Sequence, residues 1–146
     1  MRILIADDHA LFRDSLKSLL ESRGHEVVGE AKNGREAVEL GKRLRPDVIL
    51  MDLSMPEMDG VEATRGVLAK RPDTKVLVLT SFSDRQRVKD VLTAGAIGYV
   101  LKDSEPADLL AAVHAAALGH VPIDPRVATE GAEVRDFFDY PLSEQF

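Results

Sequence analysis

The sequence predicts an α/β fold, a doubly wound sandwich around a five-stranded parallel sheet. Three observations carry that expectation. Short apolar runs rich in β-branched residues recur along the chain: ILIA (3–6), EVVGEA (26–31), DVILM (47–51), KVLVLT (75–80) and IGYVL (97–101). Most are continuous rather than alternating, as strands buried on both faces are. A segment with helical spacing follows every run, and glycine or proline marks the joins. Strict strand–helix alternation calls for crossover connections, which are right-handed.

The elements follow in order. ILIA ends on Asp7-Asp8, and behind it Phe12, Leu16, Leu19, Leu20 and Arg23 fall on one helical stripe, closed by Gly24. After EVVGEA the stripe is Ala37, Val38, Gly41 and Leu44, and Pro46 stops it. DVILM runs into Asp52, and Asp59-Gly60 shapes the following loop and starts a helix marked by Val61, Thr64, Val67 and Leu68, which ends before Pro72. Beyond KVLVLT, Asp84 is the expected N-cap of a helix carrying Val88, Val91 and Leu92, with Gly95 after it. Beyond IGYVL, Ser104 is the expected N-cap for Leu109, Leu110, Val113 and Ala117, and Gly119 ends that helix.

Composition narrows the function. A chain of 146 residues fits one domain with a full core. It has no cysteine, which excludes a disulfide framework and a thiolate metal site. No apolar run approaches the ~20 residues that cross a bilayer, and the run in MRILIADDH is too short for a signal peptide. A cytoplasmic protein with no membrane partner is the expectation. Net charge is −6; residues 1–119 hold 19 acids against 17 Lys/Arg, and residues 120–146 hold 6 acids against 2 Arg. Neither part has the basic footprint of a nucleic-acid binder.

Ligands of open α/β sheets bind beyond the carboxyl ends of the strands. There the first strand delivers Asp7-Asp8, the third Asp52, the fourth Thr80-Ser81 and the fifth Lys102. Each has a plain reading alone: a helix cap, a loop acid, a strand-forming threonine, a solvated lysine. Those readings weaken together, because all the residues would meet on one edge. Two carboxylates ~4 Å apart repel by about 4 kcal/mol at an effective dielectric of ~20, so the acids need a cation. Oxygen ligands point to a hard ion, and open water positions point to Mg²⁺. Acids, metal, lysine and hydroxyl around one carboxylate describe phosphoryl transfer to an aspartate.

The set Asp7-Asp8, Asp52, Thr80 and Lys102, with MPEMDG after Asp52 and GAIGYVLK further on, closely resembles the receiver domain of two-component response regulators. ADDHALFRDSLKSLLE, LTSFSDRQRV and GYVLKD resemble its NarL/FixJ branch, whose members usually carry a LuxR-type helix-turn-helix output domain. The resemblance covers about residues 1–120. It implies a flavodoxin-like sheet with strand order 2-1-3-4-5. It implies that Asp52 is phosphorylated, that Asp7, Asp8, Asp52 and the main-chain carbonyl of Ser54 hold Mg²⁺, and that Lys102 binds phosphoryl oxygens. Thr80 would hydrogen-bond the phosphoryl group and move toward it, with Tyr99 as the aromatic switch. The implied partners are a sensor histidine kinase, a second copy of the chain on phosphorylation, and DNA only through an output domain outside this chain. Many receivers have proline after the lysine, often behind a cis bond; Asp103 stands here and leaves the geometry of Lys102–Asp103 open.

Two rivals stand beside this reading. A haloacid-dehalogenase-type phosphatase needs D-x-D on its first strand, whereas these acids are adjacent. A pseudo-receiver would not need the complete acid set or Lys102. His9 sits beside the acids, but His25, His114 and His120 offer no ligand spacing with it, so it reads as structural. Phe82, two residues after Thr80, is expected with Ser54 to tune water access to an aspartyl phosphate. Residues 121–146 read as a linker or a helical extension. Four of the chain's seven Phe/Tyr lie in the last ten residues, more than a solvated linker would concentrate. Val134, Phe137, Phe138 and Leu142 could form an apolar stripe that favours dimerisation, and LSEQF faintly resembles the opening of a LuxR-type output domain. A chain stopping before an output domain, a packed native helix and a disordered tail all remain open.

Overall fold

Arg2–Ala6 (β1), Glu26–Ala31 (β2), Val48–Asp52 (β3), Lys75–Thr80 (β4) and Gly98–Leu101 (β5) form one parallel sheet in the order β2-β1-β3-β4-β5. The computed structural model describes residues 1–81 and 87–120. The helices between and after the strands are α1 (Ala10–Ser22), α2 (Gly34–Leu44), α3 (Gly60–Lys70), α4 (Val88–Thr93) and α5 (Pro106–Ala117). All five predicted strands and the strand order are found. Phe82, Asp84 and the tail from Val121 lie outside the described residues.

Alternation along the strands sorts the core into two layers. Leu4, Ile49, Met51, Val76, Val78 and Tyr99 face α2, α3 and α4. Ile3, Ile5, Val48, Leu50, Leu77 and Leu79 face α1 and α5. Because both faces are covered, β3 is buried at every position, and the continuous apolar runs follow from that. Each fully buried Leu or Ile contributes about 1.5–3 kcal/mol, so strand positions that reach the sheet edge are held rigidly.

Helix ends fill in the detail. Gly24 and Gly119 adopt left-handed φ of 86° and 84°, which glycine takes without a Cβ clash. Arg45 adopts φ 50° and closes α2 ahead of Pro46. Two expectations are corrected, and one plain reading is set aside. Ser104 does not cap α5: Glu105 is the N-cap residue, because Pro106 takes the first helical position, where its fixed φ and missing N–H fit. Arg23 is not part of the first stripe; it is the C-cap of α1 and exposed. Asp8 does not cap α1, whose N-cap residue is His9. The Lys102–Asp103 bond is trans, since there is no cis peptide bond among the described residues.

Candidate functional site

The β3–α3 connection shows how local sequence builds the site. Asp59 accepts from the Glu62 amide at 3.0 Å as N-cap of α3. Gly60 follows, and a Cβ there would strike the Asp52 carbonyl oxygen and the Leu53 Cα. Only glycine lets α3 begin this close to the end of β3, and Asp52 is thereby fixed at the sheet edge. Leu53 donates to the Leu79 carbonyl at 3.2 Å, which aligns the exits of β3 and β4. Lys102 donates its amide to the Thr80 carbonyl at 2.9 Å, which aligns β4 with β5.

Asp7, Asp8, Asp52 and Lys102 therefore converge. Lys102 Nζ lies 2.7 Å from Asp7 Oδ2 and 3.6 Å from Asp52 Oδ2. Asp7 is fully buried and Asp52 is 3% exposed, while the Asp8 side chain opens to solvent at 33%. One ligand atom from each of Asp7, Asp8, His9 and Asp52 falls within 4.8 Å of the others. Burial and the neighbouring Asp7 carboxylate push the Asp52 carboxyl up to about 6, against the pull of Lys102 and the Ser54 amide. The three carboxylates exceed the one lysine by two charges, and their oxygens suit a hard divalent cation.

The other expected residues are placed as follows. Thr80 is fully buried at the end of β4, and its hydroxyl donates to the Ser81 carbonyl at 3.2 Å. The Ser54 amide donates to Asp52 Oδ1 at 3.3 Å. Tyr99 is 1% exposed and packs in the layer under α4.

Several contacts at the site were not read from the sequence. His9 Nδ1 lies 3.3 Å from Asp7 Oδ1, 3.4 Å from Asp8 Oδ1 and 3.5 Å from Lys102 Nζ. Arg13, one turn into α1, donates Nη1 to the Asp7 carbonyl at 2.6 Å and Nε to Glu30 at 3.3 Å. It ties the Asp7–Asp8 peptide to β2. Its position four residues after His9 was the available signal, since i and i+4 share a helix face. Lys102 also sits 4.6 Å over the Phe12 ring, a cation–π contact that steadies its head. Arg87, at the start of α4, reaches the β3–α3 loop; no local spacing announces it.

A cavity of about 410 Å³ opens at the opposite edge of the sheet, beside Pro46, Arg71 and Lys75. Helices α2 and α3 end there, and Arg71 Nη2 donates to the Lys42 carbonyl at 3.0 Å. Those cations offset helix C-terminal dipoles. The concentration of carboxylates lies at the other edge.

A doubly wound parallel sheet with clustered acids and a lysine beyond its carboxyl edge is a flavodoxin-like fold with its polar site where such folds place one. Residues 3–114 match the family described as the response regulator receiver domain. The transcriptional regulatory protein LiaR of Bacillus subtilis (strain 168) is 45% identical over 129 residues, 88% of this chain and 61% of LiaR. A LuxR-family two-component response regulator from Aurantimonas sp. SI85-9A1 superposes with a TM-score of 0.84 at 37% identity, covering 92% of this chain and 96% of that one. The signal receiver domain of NarL from Mycobacterium tuberculosis gives a TM-score of 0.76 at 38% identity, covering 82% and 97%. The chain belongs to the response regulator receiver family, on its NarL/FixJ-like branch. It spans about three fifths of the length of LiaR. No helix among the described residues is long and apolar enough to cross a membrane.

Proposed function

We propose that Asp52 accepts a phosphoryl group from the phosphohistidine of a sensor kinase, in a self-catalysed reaction at the edge formed by Asp7, Asp8 and Lys102. The observation that carries this reading is Lys102 Nζ at 2.7 Å from Asp7 and 3.6 Å from Asp52, inside a cluster with two excess negative charges. A carboxylate oxygen of Asp52 attacks phosphorus, the P–O bond forms, and the P–N bond breaks with its electron pair leaving on the imidazole. Asp52 must be ionised to attack. Lys102 favours that state; Asp7, Asp8, Asp52 and the Ser54 carbonyl would hold Mg²⁺, which would supply further positive charge against the carboxylates and the phosphoryl oxygens. Lys102 then pairs with a phosphoryl oxygen.

The product adds roughly −2 charge. Thr80 exchanges its bond to Ser81 for a stronger acceptor, and its inward shift opens space for Tyr99. Moving from ~1% to ~99% active takes about 5.5 kcal/mol of differential stabilisation, within reach of a few charge-assisted bonds at about 1.5–3 kcal/mol each. Residues 1–120 act as the receiver of a cytoplasmic switch. Its partners are the sensor kinase, a second copy of the chain on phosphorylation, and DNA only through an output domain.

Incubation with Mg²⁺ and acetyl phosphate tests the reading by intact-mass measurement. Wild type should gain one phosphoryl group, and Asp52→Asn none. Unmodified wild type, or modification that persists in Asp52→Asn, overturns it. Sizing the modified and unmodified chains in the same experiment tests dimerisation; identical monomers would remove the second copy as a partner.

A further inference from the structure

Arg87 precedes α4, seven residues after Thr80, and its guanidinium reaches into the loop that follows Asp52. Nη2 lies 2.9 Å from Asp59 Oδ2 and donates to the Leu53 carbonyl at 3.2 Å. Nη1 donates to Ser54 Oγ at 3.3 Å. Asp59 divides its two oxygens, Oδ1 to the Glu62 amide and Oδ2 to Arg87. One side chain thus fastens the start of α4 to the residues that adjoin the expected phosphorylation site. The fastening coexists with a Thr80 hydroxyl bonded to Ser81.

We propose that Arg87 is a positioning residue that latches α4 to the β3–α3 loop in the unphosphorylated state, and that phosphorylation of Asp52 must release it. The proposal rests on the reading of Asp52 as the phosphoacceptor and adds a second restraint to the switch. Two of the three acceptors that hold the guanidinium, the Leu53 carbonyl and Ser54 Oγ, directly follow Asp52, so loading that carboxylate disturbs the contacts that keep Arg87 in place. An interaction made in one state and lost in the other favours the first by its own worth. The latch therefore opposes activation and sets how much phosphoryl binding energy the switch consumes. It also gives α4 a direct report of where the loop beside the metal ligands sits.

Calorimetric affinity for beryllofluoride with Mg²⁺, on the whole 146-residue chain, tests this. Arg87→Gln and Asp59→Asn should each bind about three- to tenfold tighter than wild type, the range of a part-exposed ion pair with hydrogen bonds. The double variant should bind no tighter than Arg87→Gln alone, because Asp59 acts in the latch only through Arg87. Asn retains an acceptor for the Glu62 amide, so α3 keeps its cap. Arg87→Lys, with the charge but not the fork, should fall between wild type and Arg87→Gln. Without beryllofluoride, the Val88–Thr93 amide resonances of Arg87→Gln should lie displaced toward the wild-type bound positions. Unchanged or weaker binding in the single variants, or additive effects in the double one, overturns the latch alone. Failure of wild type to bind overturns the phosphoacceptor reading and the latch together.

Discussion

Asp52 carries the tension in the site. It is 3% exposed, its carboxyl is raised to about 6, and burial is the largest cause. A raised carboxyl favours the protonated form in the folded protein, so its contribution to stability is present below the unfolded value near 4 and is lost as pH rises through about 6. In chelator, Asp52→Asn should therefore stabilise the protein by about 1–3 kcal/mol at pH 8, by about half as much at pH 5 and by little at pH 3. Thermal unfolding at these pH values checks this; an equal gain at each would separate the effect from ionisation. The strand-end acids, Thr80 and Lys102 were legible in the sequence because strand exits of a parallel sheet share one edge. The contacts of His9 with Asp8 and Lys102 were not legible, since they depend on where α1 begins.

At the scale of elements, the β3–α3 connection does the positioning. Asp59-Gly60 was readable as a helix start, because a short acceptor followed by glycine is local chemistry. Why glycine is required was not readable: the constraint is the carbonyl of Asp52, eight residues back in the chain. Gly60→Ala should cost about 2–4 kcal/mol, since backbone rather than a flexible side chain must move. It should also weaken beryllofluoride binding by displacing Asp52. Urea unfolding and the same titration test both effects, and a loss below ~0.5 kcal/mol would show that the loop relaxes freely. The Ser104 expectation failed for an equally local reason: proline two residues later sets the helix start, and its preference outweighed a cap hydroxyl.

For the molecule as a whole, three carboxylates against one lysine at a rigid edge leave the fold carrying unneutralised charge. A divalent cation that binds only the folded chain stabilises it by mass action, by about 2.7 kcal/mol at 100 times its Kd. Mg²⁺ should raise Tm progressively with concentration, and the rise should be much smaller in Asp8→Asn. A Tm that ignores Mg²⁺ in wild type would remove the metal from the mechanism. The sequence by itself determined the parallel α/β class, the strands and the five polar residues of the edge, because apolar runs, punctuation and strand-end position are local signals. Its motif resemblance also anticipated the strand order. Only the tertiary structure decided the contacts that Arg13, His9 and Arg87 make, and the trans Lys102–Asp103 bond. Those depend on how separate elements dock, and docking is set by packing between residues far apart in the chain.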